Sequence, residues 1–157
     1  YVTEELPSVI AEHFAVQGDR LGVFGHSMGG HGALTLALRH PGHYRSVSAL
    51  APIAAPMRAP WGIKAFTGYL GEDRALWREQ DATELIARGA RMPECLVDQG
   101  TADKFLDEQL HIEALQSACL QAGQPLTLRR HADYDHGYYF IATFVGDHIA
   151  HHARFLG

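Results

Sequence analysis

Cysteine is scarce in this sequence: Cys95 and Cys119 are the only two. They form neither a CxxC pair nor a cysteine–histidine spacing, which excludes a disulfide framework and a zinc module and favours a reducing compartment. Basic runs are also missing. Nothing longer than Arg129-Arg130 occurs, and 13 Lys and Arg against 18 Asp and Glu leave a net charge of −5, so no surface for tracking phosphates, and no nucleic-acid partner, is expected. Long apolar runs are absent too. The longest stretch free of Asp, Glu, Lys and Arg, Leu21 to Leu38, carries five Gly and two His, whereas a membrane-spanning helix needs about 20 mostly apolar residues. With 46% apolar and 20% charged residues in 157, the composition is that of one ordinary globular domain, not of a disordered, collagenous or coiled-coil chain. No Met and no leader pattern stand at the start, so the chain is expected to open inside a helix, as part of a longer domain.

The apolar pattern alternates in type. Leu6, Val9, Ile10 and Phe14 recur at helical spacing behind a possible Thr3 cap. Leu21 to Phe24, Ser46 to Leu50, Glu94 to Val97 and Leu126 to Arg130 are short apolar runs that predict strands buried between layers. Between them, Gly32 to His40, Ile63 to Tyr69, Ala75 to Gln80, Ala82 to Ala87 behind Asp81, and Phe105 to Ala122 before Gly123 predict helices, and Tyr138 to Phe155 predicts a closing one. The closing helix would turn Ile141, Phe144, Val145, His148, His152 and Phe155 to one face. Pro52, Pro56 and Pro60 mark a long irregular loop after the second strand. Strand–helix alternation of this kind implies a parallel sheet with right-handed crossovers and helices on both faces.

Gly25-His26-Ser27-Met28-Gly29 matches G-x-S-x-G, with an apolar strand before it and a helix straight after. A serine there sits on a strained turn, and flanking glycines let strand and helix approach. The helix N-terminus beyond it aims free N–H groups where an acyl-transfer oxyanion would develop, which makes the Met28 N–H a candidate donor. A phosphate cradle is the competing reading, but no P-loop lysine follows.

A nucleophilic serine requires a base and an orienting acid, which follow it in that architecture in the order serine, acid, histidine. His136 is the candidate base because it sits in the turn between the last strand and last helix; His131 ends a strand, and His26 shares the sharp turn, so its ring should point elsewhere. Asp103 is the candidate acid because its loop can reach round to an imidazole. Asp98 reads as a strand end bonding loop amides, and Asp135 as a turn former. His31, a helical turn past Ser27, reads as packing or pocket lining. Eleven histidines invite a metal, yet His148 and His152, four apart without HExxH, read as packed helix residues, and neither a metal nor a cofactor is expected.

Four stretches together resemble the esterase D family of serine hydrolases, the S-formylglutathione hydrolases: Gly25 to Leu34, Pro60 to Gly71, Asp98-Gln99-Gly100 and Tyr134 to Phe144. The resemblance implies an α/β-hydrolase fold, with residues 1–157 as the C-terminal part of a single domain that opens after its first strands. It implies cleavage of a small-molecule thioester to formate and glutathione, in the cytoplasm, by a protein that is a homodimer when complete. Carried over by position, the nucleophile falls on Ser27, the acid on Asp103 and the base on His136; Gly137 stands where the family commonly has serine. The second oxyanion N–H is expected from an early loop outside this chain, and lacking one such donor costs on the order of 10²–10³ in rate. Trp61, Lys64 and Phe66 are candidate contacts for the glutathionyl group, because their loop follows a strand's carboxyl end. The triad alone leaves open a general carboxylesterase or an acyltransferase, and a catalytically silent domain is the reading from another class.

Overall fold

The computed structural model describes residues 1–157. Four strands, β1 (Gly22–His26), β2 (Ser46–Leu50), β3 (Cys95–Gly100) and β4 (Leu126–His131), pair in parallel in that order. The register sets Val23 beside Val47, Val47 beside Cys95 and Asp98 beside Arg129. The parallel sheet expected from the alternation is therefore present, with both faces covered by helices.

Strand alternation sorts the two faces. Val47, Ala49, Cys95 and Val97 point to a main core shared with α2 (Met28–Arg39), α5 (Ala82–Ala87) and α6 (Ile112–Ala122), where Leu34, Ile86, Ile112 and Leu115 are fully buried. On the opposite face Ser46, Ser48 and Asp98 meet buried His148, His151 and His152 of α7 (Tyr138–Leu156). One sheet face is thus apolar, and the other packs polar side chains against α7, where Ser46 and Ser48 bond His152, Asp98 bonds His148 and His151 bonds the Val47 carbonyl. A smaller apolar cluster, Leu50, Ile53, Leu110 and Phe140 among it, fills the carboxyl end of the sheet.

Several elements differ from expectation. α1 (Glu5–His13) buries none of its residues and receives no side-chain cap, and Thr3 lies outside it; Pro7 in its first turn lacks one of the donors a cap would satisfy. Pro60 does not break structure but opens α3 (Pro60–Leu70), at the position where a missing N–H is harmless, and Pro56 opens a 3₁₀ turn. α4 (Arg74–Arg78) is capped by Asp73, and α5 by Asp81 as expected. The helix expected over Phe105 to Ala122 is two pieces: a π-type turn, Leu106–Leu110, then His111 at φ 52°, then α6. The break lets Leu110 enter the small cluster while Ile112 enters the main one. On α7 the buried residues are Phe140, His148, His151 and His152; of the expected face, Ile141, Phe144 and Val145 are half-buried and Phe155 is 37% exposed.

Candidate active site

β1 ends in a turn that the backbone holds under strain. Ser27 adopts φ 56° and ψ −113°, a combination costly for any residue with a Cβ and kept only when neighbours over-determine it. They do: the Ser27 N–H donates to the Leu50 carbonyl at 3.0 Å, and the Ser27 carbonyl accepts from His31 and Ile53 N–H groups at 2.9 and 3.3 Å. A Cβ on Gly25 would lie 2.4 Å from the Gly29 carbonyl carbon, whereas one on Gly29 would meet open space. Of the two glycines of the motif, only the first is sterically required. Met28 is the first residue of α2, and its N–H has no backbone acceptor.

The loops after β3 and β4 bring Asp103 and His136 together. The His136 Nδ1–H donates to Asp103 Oδ2 at 2.6 Å, leaving Nε2 as the free ring nitrogen. Asp103 is held from three sides: the Gln99 side-chain amide donates to Oδ2 at 3.2 Å, and the Phe105 N–H to Oδ1 at 2.9 Å. Burial alone would raise its pKa, but the His136, Phe105 and Gln99 bonds outweigh it and keep the carboxyl below its ordinary range. The two loops are clamped by Ala102 N–H to Tyr134 carbonyl at 3.0 Å and Thr101 N–H to His131 carbonyl at 2.9 Å. Gly100 permits that approach, since a Cβ there would fall 2.2 Å from the Tyr134 oxygen. The third expected contact is open: the Ser27 hydroxyl makes no hydrogen bond to His136, a looseness familiar in catalytic sites without substrate.

Around this pair, the other expected residues separate. The His26 ring does not point elsewhere but lies against His136, with ring centroids 4.4 Å apart. Phe105 meets His136 edge-on at 5.2 Å, and Trp61 packs on Phe105 at 4.7 Å. Trp61 and Lys64 line a shallow hollow of about 400 Å³ on the exposed side of α3. Phe66 is not in it: that ring is buried between His31 and Trp77, so its role as a substrate contact is replaced by core packing. His31 donates from Nε2 to the Gln80 carbonyl at 2.7 Å, which makes it a packing residue.

A family model described as "Putative esterase" matches residues 1–151. The chain belongs to this esterase family. S-formylglutathione hydrolases from Rattus norvegicus and Arabidopsis thaliana are 52% and 49% identical to this chain over 99% of its length. The chain spans 56% of those relatives. A solved S-formylglutathione hydrolase from Agrobacterium tumefaciens superposes with a TM-score of 0.97 and 52% identity, over 100% of this chain and 57% of that one. The α/β-hydrolase fold expected from the resemblance follows.

The chain holds a second serine–histidine contact, which is structural. Ser46 and Ser48 bond the two ring nitrogens of His152 at 2.6 and 2.9 Å. Both serines are fully buried in the extended interior strand β2, both ring nitrogens are occupied, and no carboxylate orients the ring. Asp98, read as a partner of loop amides, instead holds Arg129 through both oxygens, at 2.6 and 2.5 Å, and His148 at 3.2 Å. His148 and His152, the pair with metal-like spacing, are therefore committed to Asp98 and to the two serines.

Sequence reading missed four contributors: Gln99, Gly100, Phe105 and Gln109. Gln99 had a signal, a polar side chain next in register to the apolar Val97 on a strand buried throughout. Gln109, also buried, accepts from the Trp61 N–H at 3.0 Å and ties α3 to the acid-bearing loop.

Proposed function

We propose that this chain carries the nucleophile, base and acid of an S-formylglutathione hydrolase: Ser27, His136 and Asp103. The observation that supports it most is the 2.6 Å His136–Asp103 bond on loops that flank the strained Ser27 elbow. In the proposed reaction His136 Nε2 removes the Ser27 proton as Oγ attacks the formyl carbon, and the Met28 N–H holds the oxyanion. The C–S bond then breaks, the thiolate leaves readily because thiols have a pKa near 8.5 and takes up the proton held by His136, which returns the imidazole to its neutral form, and a formyl-serine remains. Water, deprotonated by His136, attacks that ester; the C–Oγ bond breaks, formate leaves and Ser27 recovers its proton. Asp103 stabilises the imidazolium in both halves and fixes the Nδ1–H tautomer.

Trp61 and Lys64 form the proposed wall for the glutathionyl chain. The cytoplasm is the proposed compartment, supported by two buried, unpaired cysteines. The homodimer implied by the resemblance belongs to the same proposal, for the complete protein.

The test is thioester hydrolysis by this chain, read as loss of thioester absorbance, with Ser27→Ala, His136→Gln and an aryl acetate for comparison. Serine-dependent turnover favouring the thioester is the expected result. An aryl acetate preferred over the thioester would replace the reading by a general carboxylesterase. Formyl transfer to Ser27 that survives His136→Gln would remove His136 from the base position.

A further inference from the structure

A pocket of about 470 Å³ opens beside His136, between the loop after β3 and the loop after β4. Its lining carries one charge of each sign, Lys104 and Asp135, together with Phe105 and His136. Neither charge is used up. Lys104 joins none of the ion pairs of the chain, and its ammonium rests 4.9 Å over the Phe105 ring. Asp135 spends only Oδ1, which accepts from the Gly137 N–H at 2.8 Å; Oδ2 is free to accept.

We propose that this pocket is a subsite for a zwitterionic α-amino-acid head, the γ-glutamyl end of the thiol carrier. Lys104 takes its α-carboxylate and Asp135 its α-ammonium. The proposal rests on the S-formylglutathione reading for the identity of the carrier, but the chemistry that selects the head is local. A lone carboxylate, such as the glycyl end of glutathione, would face Asp135 with like charge, whereas a group bearing both signs matches both walls. The methylene chain between head and thiol then runs along Phe105, whose edge abuts His136, toward the serine elbow. Trp61, packed on Phe105, backs the same wall.

The test separates recognition from turnover by using S-methylglutathione, which has no acyl group to transfer. Calorimetric titration of this chain is expected to show binding that weakens about tenfold in Lys104→Met and about tenfold in Asp135→Asn, the size of one charge-assisted contact. Ligand edits must match the protein edits. Amidating the γ-glutamyl α-carboxyl is expected to abolish the effect of Lys104→Met, and acetylating the α-amine that of Asp135→Asn. Equal binding by wild type and both variants, or effects that persist with the edited ligands, overturns the subsite, as does failure of wild type to bind S-methylglutathione. If binding follows the expected pattern but S-formylglutathione is not hydrolysed, the subsite stands and the hydrolase reading falls.

Discussion

The imidazoles of His26 and His136 lie against each other, with centroids 4.4 Å and ring planes 44° apart. His26 is the residue before the candidate nucleophile, so the contact ties the elbow directly to the candidate base. Desolvation, followed by repulsion from His136, lowers the pKa of His26, which keeps a second positive charge from competing with an imidazolium at His136. The role we assign to His26 is to position that ring. His26→Ala is expected to lower kcat toward an aryl acetate roughly 3–10-fold with little change in KM, the value of one aromatic contact of about 0.5–1.5 kcal/mol. His26→Phe, which restores a ring, should recover most of the loss. If Phe is as poor as Ala, packing is not what His26 supplies.

Strain at Ser27 gives a second prediction. The φ of 56° penalises every side chain there, and glycine alone is relieved of the penalty. Ser27→Gly and Ser27→Ala should both abolish turnover, but the glycine variant should be the more stable of the two by about 1 kcal/mol. That figure is strain of roughly 1–3 kcal/mol less the entropy that glycine loses on folding. Denaturant midpoints compare the two directly. Equal midpoints would mean that the elbow relaxes in the absence of its hydroxyl.

The elbow, the parallel sheet and the Asp103–His136 pair were all legible in the residues, because each rests on a local rule. G-x-S-x-G between strand and helix predicts the turn, strand–helix alternation predicts parallel pairing, and loops at strand carboxyl ends limit which acid and histidine can meet. What was not legible depends on tertiary packing. The break at His111 exists because Leu110 and Ile112 belong to different clusters, and the helical period cannot register that. Phe66 and Trp61 sit five apart on one helix, yet one is buried and the other exposed, a choice made by which neighbours cover α3. The polar face under α7 was hidden for the same reason: Ser46, Ser48 and the histidines read as isolated polar residues until the fold pairs them.

That face predicts a stability profile in acid. His152, buried between Ser46 and Ser48, has its pKa lowered from 6.5 to about 4 by desolvation first and then by His151 and His148. Between those values the unfolded chain takes up a proton that the folded chain refuses, so stability should fall as pH drops from 6.5 toward 4 and this contribution should level off below. Chemical denaturation at pH 7 and pH 4.5 reads the slope. His26, His31 and His151 are lowered as well and act in the same direction, so the informative quantity is a difference. His152→Gln should show a shallower decline than the wild type, and an unchanged slope would remove His152 from the acid response.

Asp98 has the opposite linkage. Burial pushes its pKa up, but hydrogen bonds from His148 and Arg129, the nearby His131 ring and the charge of Arg129 prevail and hold the carboxyl well below the ordinary range. Its contribution is therefore fully present above the unfolded carboxylate pKa of about 3.9 and is lost only as pH falls through the lower folded value. Asp98→Asn leaves Arg129, only a third exposed, and fully buried His148 without their anion. Breaking a buried pair from one side costs about 3–5 kcal/mol. Denaturation at pH 7 should show that loss, and the gap between variant and wild type should narrow only below about pH 4. Because Asp98 precedes the Asp103 loop on β3 and Arg129 precedes the His136 loop on β4, the same variant should also lower kcat. Arg129→Met combined with Asp98→Asn should be less destabilised than the sum of the two single variants, since the double variant leaves no unpaired charge between β3 and β4. Additive losses would show that the two residues act separately.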